Sequence, residues 1–366
     1  MDILLKGGLI VDPVNGINGE MDIGISEGKV VAVEKNLSST EVERELDVSG
    51  RTAVPGIIDT HAHFSREGDR VGHRMMASVG VTTAIDFASP PEDLIKGLEE
   101  YGAGLNVGCL FPLVPGDTIS GPDPDRGELK NVIGEAVNKG ALGIKLIGGH
   151  HPITPEAFKK AVEVANEREI YVASHLGTTE SASNLTGLRE LPDLVGNGRI
   201  HIAHVNSYCR GMINSPIEEA EEALEIIEKL GDKVVSESYL GTINGTSGEC
   251  REGIPESHVT RNCLSMEGYK ETERGLEKAI SDGYCSVVVQ KGSKKVLVSG
   301  KEGVDIWSDR GTNVRASFPV NSPEATFLLA VRKGENDKFL VDAISTDGGG
   351  YPRNHIVDRG LALVDY

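Results

Sequence analysis

From about residue 54 onward, short apolar runs alternate with charged, periodic stretches, and this alternation limits the fold more than any other feature of the chain. The stretches between the runs have the spacing of amphipathic helices, and Thr154-Pro155 and Ser215-Pro216 each put proline at a first helical position. Eight strands that alternate with helices predict an α/β fold, a (β/α)8 TIM-like barrel rather than an open parallel sheet. The eight runs are "VPGIID", "TTAIDFA", "LNVGCLF", "LGIKLI", "IYVASH", "IHIAHV", "KVVSESYL" and "FLVDAIST".

Polar residues recur at the ends of these runs with the period of one strand–helix unit. Lys145, His175 and His204 follow one another at intervals of 30 and 29 residues, and one unit of such a barrel takes about 30 residues. Glu237 comes 33 residues after His204, in the seventh run. Because the carboxyl ends of barrel strands meet on one rim, we expect these side chains to share the face where barrel enzymes have their chemistry.

Asp347 follows the eighth run, 110 residues after Glu237, so the last connection must carry a large insert at about residues 250–335. In this insert, "YCSVVVQKGSKKVLVSG" has the pattern of a hairpin and "SPEATFLLAVRKG" that of a helix. The chain before the barrel, residues 1–53, reads as short strands and turns. It predicts a small β domain that is too short to close a core alone, with the barrel over residues 54–366.

Two histidines in "DTHAHF" stand one residue apart at the end of the first run. Side chains on a strand alternate, so His61 and His63 face the same side, and neutral imidazole is a common zinc ligand. This pair is a weak signal alone, and a single histidine such as His175 or His204 is more often a core residue. Together with Asp347, otherwise explained as a turn-capping aspartate in "STDGGG", they favour a metal site on the rim.

Lys145 lies between Ile144 and Leu146 in the fourth run, which directs its amine into the barrel. An unpaired buried ammonium costs several kcal/mol, so the amine should be neutralised or paired. One interpretation is an ion pair with Glu237. The other is an amine of lowered pKa that captures carbon dioxide as a carbamate, an extended carboxylate able to bridge two cations.

Five motifs, "PGIIDTHAHF", "GIKLIGG", "ASHLG", "HIAHVNS" and "ISTDGGG", together resemble the amidohydrolase superfamily in its two-metal branch with a bridging lysine. That branch includes dihydroorotases, hydantoinases, isoaspartyl dipeptidases and N-acyl-D-amino-acid deacylases. The resemblance implies two divalent ions, by default Zn²⁺, and a barrel joined to a small β-sandwich-type domain built from both chain ends. It implies these ligands: His61, His63 and Asp347 for one ion, His175 and His204 for the other, and carboxylated Lys145 between them.

The motifs do not select one member of the branch. "HVNS" and "STDGGGYPR" are similar to isoaspartyl dipeptidases and D-aminoacylases, whereas "SESYL" is similar to hydantoinases. Ser65 stands where dihydroorotases have arginine, with Arg66 one step late, and Gly348 where they have histidine. Ser207 stands where isoaspartyl dipeptidases have arginine, and the nearest arginine is Arg210. The family also continues for several tens of residues past the aspartate, so we expect the C-terminal part of the small domain to be missing.

The predicted reaction is hydrolysis of a non-peptide or isopeptide C–N amide bond in an N-acyl amino acid, a β-aspartyl dipeptide or a cyclic amide. Asp347 would act as general base and then return the proton to the leaving nitrogen. The alternatives are a ring deaminase of the same superfamily and a non-catalytic scaffold. Residues that follow barrel strands are candidates for substrate binding, although the arginines could form surface ion pairs and the asparagine could cap a turn. They are His150, His151, Asn206, Arg210 and Arg353.

Charge and composition limit the classes of molecule that this protein could bind. The formal net charge of −19 argues against nucleic acid or an anionic membrane surface. The sequence has neither an apolar run long enough for a membrane span nor the start of a secretion signal. Five dispersed cysteines without a CxxC pair fit reduced thiols, so we expect a cytoplasmic protein. The resemblance implies a homo-oligomer, a dimer or a tetramer, that acts on a small-molecule amide.

Overall fold

The computed structural model describes residues 1–63, 76–291 and 294–349. Ser65, Arg66 and Arg353 therefore lie outside the described residues. The chain divides into two compact units, Met1–Ile57 and Ile58–Tyr366.

The first unit is a five-stranded sheet in the order β3-β2-β1-β4, with β5 also paired to β1. The strands are β1 (Ile3–Asp12), β2 (Ile17–Ser26), β3 (Lys29–Glu34), β4 (Arg44–Asp47) and β5 (Thr52–Ala53). Buried Asp22 ties the unit together, because its carboxylate accepts the backbone N–H groups of Gly7 and Leu37, both at 2.9 Å. Strands are therefore present where the sequence predicts them.

The second unit begins with seven parallel strands, each hydrogen-bonded to the next. They are β6 (Ile57–His63), β7 (Val81–Phe87), β8 (Asn106–Leu113), β9 (Gly143–Ile147), β10 (Tyr171–His175), β11 (Ile200–Ile202) and β12 (Val234–Ser238). The helices between them are α1 (Pro91–Tyr101), α2 (Arg126–Asn138), α3 (Pro155–Glu167), α4 (Leu185–Val195) and α5 (Pro216–Leu230). A continuous apolar cluster, including Ile144, Val162 and Leu188, fills the space between strands and helices.

The predicted helix starts are confirmed. Ser215 accepts the backbone N–H of Glu218, whose side chain bonds back to Ser215, which completes a capping box before Pro216. Thr154 accepts the backbone N–H of Ala157 before Pro155. Each such cap is worth about 1 kcal/mol.

After β12 the chain leaves the barrel and builds a separate four-stranded sheet, ordered β13-β18-β16-β17, around its own core with Trp307 and Phe318. Its strands, with one additional hairpin, are β13 (Asn244–Ser247), β14 (Cys250–Arg251), β15 (Ile254–Pro255), β16 (Ser286–Lys291), β17 (Lys294–Val298) and β18 (Arg315–Phe318). Its helices are α6 (His258–Met266), α7 (Glu273–Ser281) and α8 (Gly300–Asp309). The predicted hairpin is present as the antiparallel pair of β16 and β17.

The predicted helix of the insert is α9 (Pro323–Val331), and the eighth barrel strand follows in two short parts. The first part, β19 (Ala343–Ile344), pairs with β12, and the second, β20 (Gly348–Gly349), pairs with β6. Asp347 lies at the step between them. This last strand thus joins both edges of the sheet and confirms the predicted TIM-like barrel. Among the helices of the described ranges, none is both long and apolar enough to cross a membrane.

Candidate metal centre

The barrel brings all six predicted ligands to one cavity. His61, His63, Lys145, His175, His204 and Asp347 line the same cavity of about 380 Å³. Five of the six side chains are buried, and His63 is partly exposed. The predicted ligands that recur about every 30 residues in the sequence therefore lie on the same rim of the barrel.

One group of ligand atoms is already close together. His61 Nε2 lies 3.1 Å from His63 Nε2, and Asp347 Oδ1 lies 3.4 Å and 3.2 Å from these two nitrogens. The ligand atoms of the three residues all fall within 4.8 Å of one another. Two imidazoles and a carboxylate are a donor set that suits Zn²⁺ and related divalent ions.

Buried hydrogen bonds hold this group in place. Asp59, at the start of the HxH segment, accepts the N–H of His61 at 3.3 Å. It also accepts the N–H and hydroxyl of Thr346, at 3.2 Å and 2.5 Å. The N–H of Asp347 donates to the carbonyl of His61 at 3.0 Å. The first and eighth strands are thus fastened to each other directly at the ligands.

Glu237 makes different contacts from the ion pair that the sequence suggested as one alternative. Its Oε1 lies 2.6 Å from His61 Nδ1 and accepts the backbone N–H of His204, also at 2.6 Å. Its Oε2 accepts the hydroxyl of Ser345. Lys145 Nζ, which is buried, has no hydrogen-bond partner among the described residues. The interpretation of Lys145 as an ion-pair partner of Glu237 is therefore wrong, because the histidine ligands engage the carboxylate.

The remaining ligands form a second group with unsatisfied atoms. Within the part of the chain that the structure describes, Lys145 Nζ and His204 Nδ1 are both buried without a hydrogen-bond partner. The amine lies 4.4 Å from the centre of the Phe87 ring, and the rings of His175 and His204 are 4.5 Å apart. His175 Nε2 lies 2.5 Å from the hydroxyl of Ser183. Because buried polar atoms are nearly always paired, the orphaned atoms indicate that this group accommodates something further.

Burial sets the protonation states that metal ligands need. It lowers the pKa values of His61, His175 and His204 well below the ordinary histidine value, so these imidazoles are neutral. Burial also lowers the pKa of Lys145 to about 7, against the opposing charges of Glu237 and Asp347.

Asp347 remains ionised. Burial acts to raise the pKa of its carboxyl, but the surrounding histidines, His61 first and His63 next, outweigh burial and bring this pKa well below its ordinary value. Neutral imidazoles and an ionised carboxylate are the forms that bind metal.

The predicted substrate-binding residues divide into those on the cavity wall and those away from it. His150 and His151 line the cavity, and burial lowers the pKa of His150 to about 4. Asn206 is buried and its Oδ1 accepts from the Ser238 hydroxyl at 3.1 Å. Arg210 donates to Asn321 Oδ1 at 2.8 Å. Neither Asn206 nor Arg210 is among the residues that form the wall.

Other residues of the wall were not predicted. Asp86 at the end of β7 and Ser89 just after it line the wall, together with Asn244–Ser247 of β13 and Val259 of α6. The polar residues near the end of the second apolar run, in "DFASP", are a sequence signal that could have identified Asp86 and Ser89. The contribution of β13 has no such signal, because its approach to the rim depends on how a distant insert folds.

Comparison with known proteins supports this assignment. No family model matches the chain. A dihydroorotase of Trichlorobacter lovleyi is 26% identical over 353 residues, which cover 95% of this chain and 72% of the relative. Three further dihydroorotases match over 42% of their own length.

The fold also has solved counterparts. An N-acyl-D-glutamate deacylase from Bordetella bronchiseptica, complexed with zinc and a phosphonate inhibitor, superposes with a TM-score of 0.60 at 16% identity, covering 89% of this chain and 73% of that one. A D-aminoacylase, described for its binuclear metal centre, gives a TM-score of 0.58 at 16% identity, covering 90% and 73%. At these identities the likeness concerns the fold. The dihydroorotase relatives, the barrel and the ligand-lined cavity together support the resemblance of this chain to the amidohydrolase superfamily, in the branch that contains the dihydroorotases.

Proposed function

We propose that this chain hydrolyses an amide-type C–N bond in a small molecule, with two divalent cations held by the six rim ligands. His61, His63 and Asp347 would hold one ion, and His175 and His204 the other. Lys145, as its carbamate, would contact both. The observation that supports this most strongly is the single cavity that contains three converged ligands together with the orphaned amine and imidazole nitrogen.

The donor set fits the proposed group at Lys145. A buried primary amine without a hydrogen-bond partner is a poor ligand while protonated, and its lowered pKa makes the neutral form accessible near neutral pH. The lone pair of the neutral nitrogen can add to the carbon of carbon dioxide: an N–C bond forms, the electron pair of one C=O π bond moves to oxygen, and one N–H proton is released to solvent. The product replaces an unsatisfied neutral amine with an anionic two-oxygen group that could bind cations.

Asp347 would accept a proton from the attacking water and later donate it to the leaving nitrogen. Bound divalent cations polarise a carbonyl group and lower the pKa of water towards 7. Ionised Asp347 can accept a proton from the attacking water at a carboxylate oxygen, because His61 and His63 hold it at the cavity. The same carboxyl then lies within the cavity to protonate the leaving nitrogen. His150 and His151, on the wall, are candidates to contact the substrate.

The relatives favour a cyclic amide as substrate, and the fold neighbours leave an N-acyl amino acid as the second candidate. The dihydroorotase match extends over 95% of this chain, whereas the deacylase match concerns the fold. Release of amine or ring-opened product should be measured over cyclic ureides, N-acyl-D-amino acids and β-aspartyl dipeptides. Assembly into a dimer or tetramer stays a prediction.

The metal content of the purified protein is the first test of the proposed function. We expect about two zinc-like ions per chain in the active protein, measured by elemental analysis. Full turnover with at most one ion would contradict the two-ion site and favour the ring-deaminase alternative. A chain that binds no divalent ion would favour the scaffold.

Replacing Lys145 by alanine tests the bridging role. We expect Lys145→Ala to lower kcat by roughly 10²–10³-fold, the effect of losing one electrostatic group in such a site, and to reduce the metal content to about one ion. Added short-chain carboxylic acids should restore part of the activity, because they can occupy the place of the carbamate. Lys139→Ala, which removes an exposed lysine paired with Glu92, is the matched control. Unchanged metal content in Lys145→Ala would contradict the proposal.

A further inference from the structure

Glu237 is a buried carboxylate that touches both halves of the metal site without lining the cavity. Its side chain has no exposure to solvent, and it is not among the cavity-wall residues. It lies on β12, yet its partners come from the first, sixth and eighth barrel strands or the segments that follow them: His61, His204 and Ser345. This arrangement calls for an explanation beyond barrel packing.

The contacts at Oε1 define the tautomer of His61. Oε1 accepts the backbone N–H of His204, which can only donate, and Oε2 accepts the hydroxyl of Ser345. When Glu237 is ionised its oxygens can only accept, and the 2.6 Å contact to His61 then places the hydrogen on Nδ1. His61 Nε2 is then left with its lone pair, directed to the place where His63 and Asp347 converge.

The same oxygen also holds the second half of the site. His204 has a backbone φ of +36°, in the left-handed region, which non-glycine residues rarely adopt because it is strained. Its N–H bond to Glu237 is one of the interactions that fix this conformation. The conformation in turn places the His204 ring 4.5 Å from His175 and 5.1 Å from His61, measured between ring centres.

We propose that Glu237 is a positioning residue that fixes the Nδ1–H tautomer of His61 and the backbone of His204, and so sets the affinity of both halves of the site for Zn²⁺. This proposal rests on the proposed metal site, but not on any particular substrate. Carboxylates that bond to the second nitrogen of a ligating histidine usually change metal affinity by 10- to 100-fold.

The tautomer can be measured in the unsubstituted protein. Spectra of the full chain with ¹⁵N-labelled histidine, before and after addition of Zn²⁺, should show His61 with hydrogen on Nδ1 in both conditions. A His61→Asn spectrum identifies the signal. Hydrogen on Nε2 in the metal-free chain would overturn the proposal, and this result does not depend on whether any variant folds.

Glu237→Gln tests the consequence for binding. The amide retains the shape but loses the charge and one acceptor, so we expect a 10- to 100-fold weaker Zn²⁺ affinity in chelator competition. Glu219→Gln is the matched control, because Glu219 is also fully buried and accepts the backbone N–H groups of Gly211, Ile213 and Asn214 away from the cavity. We expect this control to lower the melting temperature while leaving Zn²⁺ affinity unchanged.

The two variants separate positioning from simple stabilisation. If both lower the melting temperature and only Glu237→Gln weakens Zn²⁺ binding, the positioning role stands. Equal Zn²⁺ affinity in Glu237→Gln and the unsubstituted chain would overturn it. Absence of Zn²⁺ binding in the unsubstituted chain would instead contradict the proposed function itself, so the two failures are distinguishable.

Discussion

The two halves of the proposed metal site differ in how completely the protein itself organises them. In the half of His61, His63 and Asp347, the ligand atoms already converge, and the surrounding groups are tied by bonds to Asp59 and Glu237. In the half of Lys145, His175 and His204, two buried atoms have no hydrogen-bond partner in the described ranges, and His175 bonds to Ser183.

This difference indicates that the two halves bind their ions under different conditions. Each unsatisfied buried polar group costs about 1–3 kcal/mol, so the second half lowers the stability of the folded barrel, and we expect a bound group to recover part of that free energy. The first half carries no comparable deficit at its ligand atoms. We therefore expect the first half to bind an ion without carbon dioxide, and the second half to depend on modification of Lys145.

The sharpest test of the first half is Asp347→Asn. Asparagine keeps the shape but cannot accept and return a proton, so we expect kcat to fall by about 10²–10⁴-fold, the usual contribution of a general acid–base group. The first ion should also be lost, measured by Zn²⁺ titration.

Asp337→Asn is the matched control for that substitution. Asp337 also has a left-handed backbone, with a φ of +61°, but it pairs with Lys333 away from the cavity. Activity there should be unchanged. If Asp347→Asn retained both ions at the original affinity, the assignment of the first half would fail.

Gly149→Ala should disturb the second half alone. A Cβ at Gly149 would lie 2.1 Å from His175 Nε2, so the ring or the loop must move, at a typical overpacking cost of 1–3 kcal/mol. We expect weaker binding of the second ion, by about tenfold or more, with the first ion retained. Gly121→Ala is the control, because no atom lies within 4 Å of its added Cβ. Loss of the first ion instead would contradict the division into halves.

Much of the fold could be predicted because the barrel repeats one local pattern. Apolar runs that carry a polar residue at or near their ends correspond to strands that bring this residue to the cavity, as with Lys145 within β9 and His175 at the end of β10. The proline and hydroxyl residues before α3 and α5 cap them as expected. The split of the last strand could not be predicted, since Ala343–Ile344 and Gly348–Gly349 each pair with a different neighbour only when the barrel closes.

The site could be predicted less completely than the fold. The predicted ligands lie at or near strand ends, where the alternation of side chains along a strand determines which way each one points. Their spacing in the sequence was therefore enough to predict that the six share one face of the barrel. The partners of buried carboxylates depend on three-dimensional competition among donors, and Glu237 bonds to His61 and His204 rather than to Lys145. Arg210 likewise reaches Asn321, 111 residues away in sequence, a contact that no local pattern specifies.

A further expected effect is a pH dependence of stability that belongs to the second half. Burial lowers the pKa of Lys145 from 10.5 to about 7, so between these values the unfolded chain holds a proton that the folded chain has released. Metal-free protein depleted of carbon dioxide should therefore become more stable as pH rises through this window, and should lose that stability as pH falls towards 7. Denaturant unfolding of the unsubstituted chain and of Lys145→Met, compared at each pH, isolates the contribution of this amine. Curves that run parallel would show that the lysine is satisfied in the folded barrel, and the contrast between the two halves would then disappear.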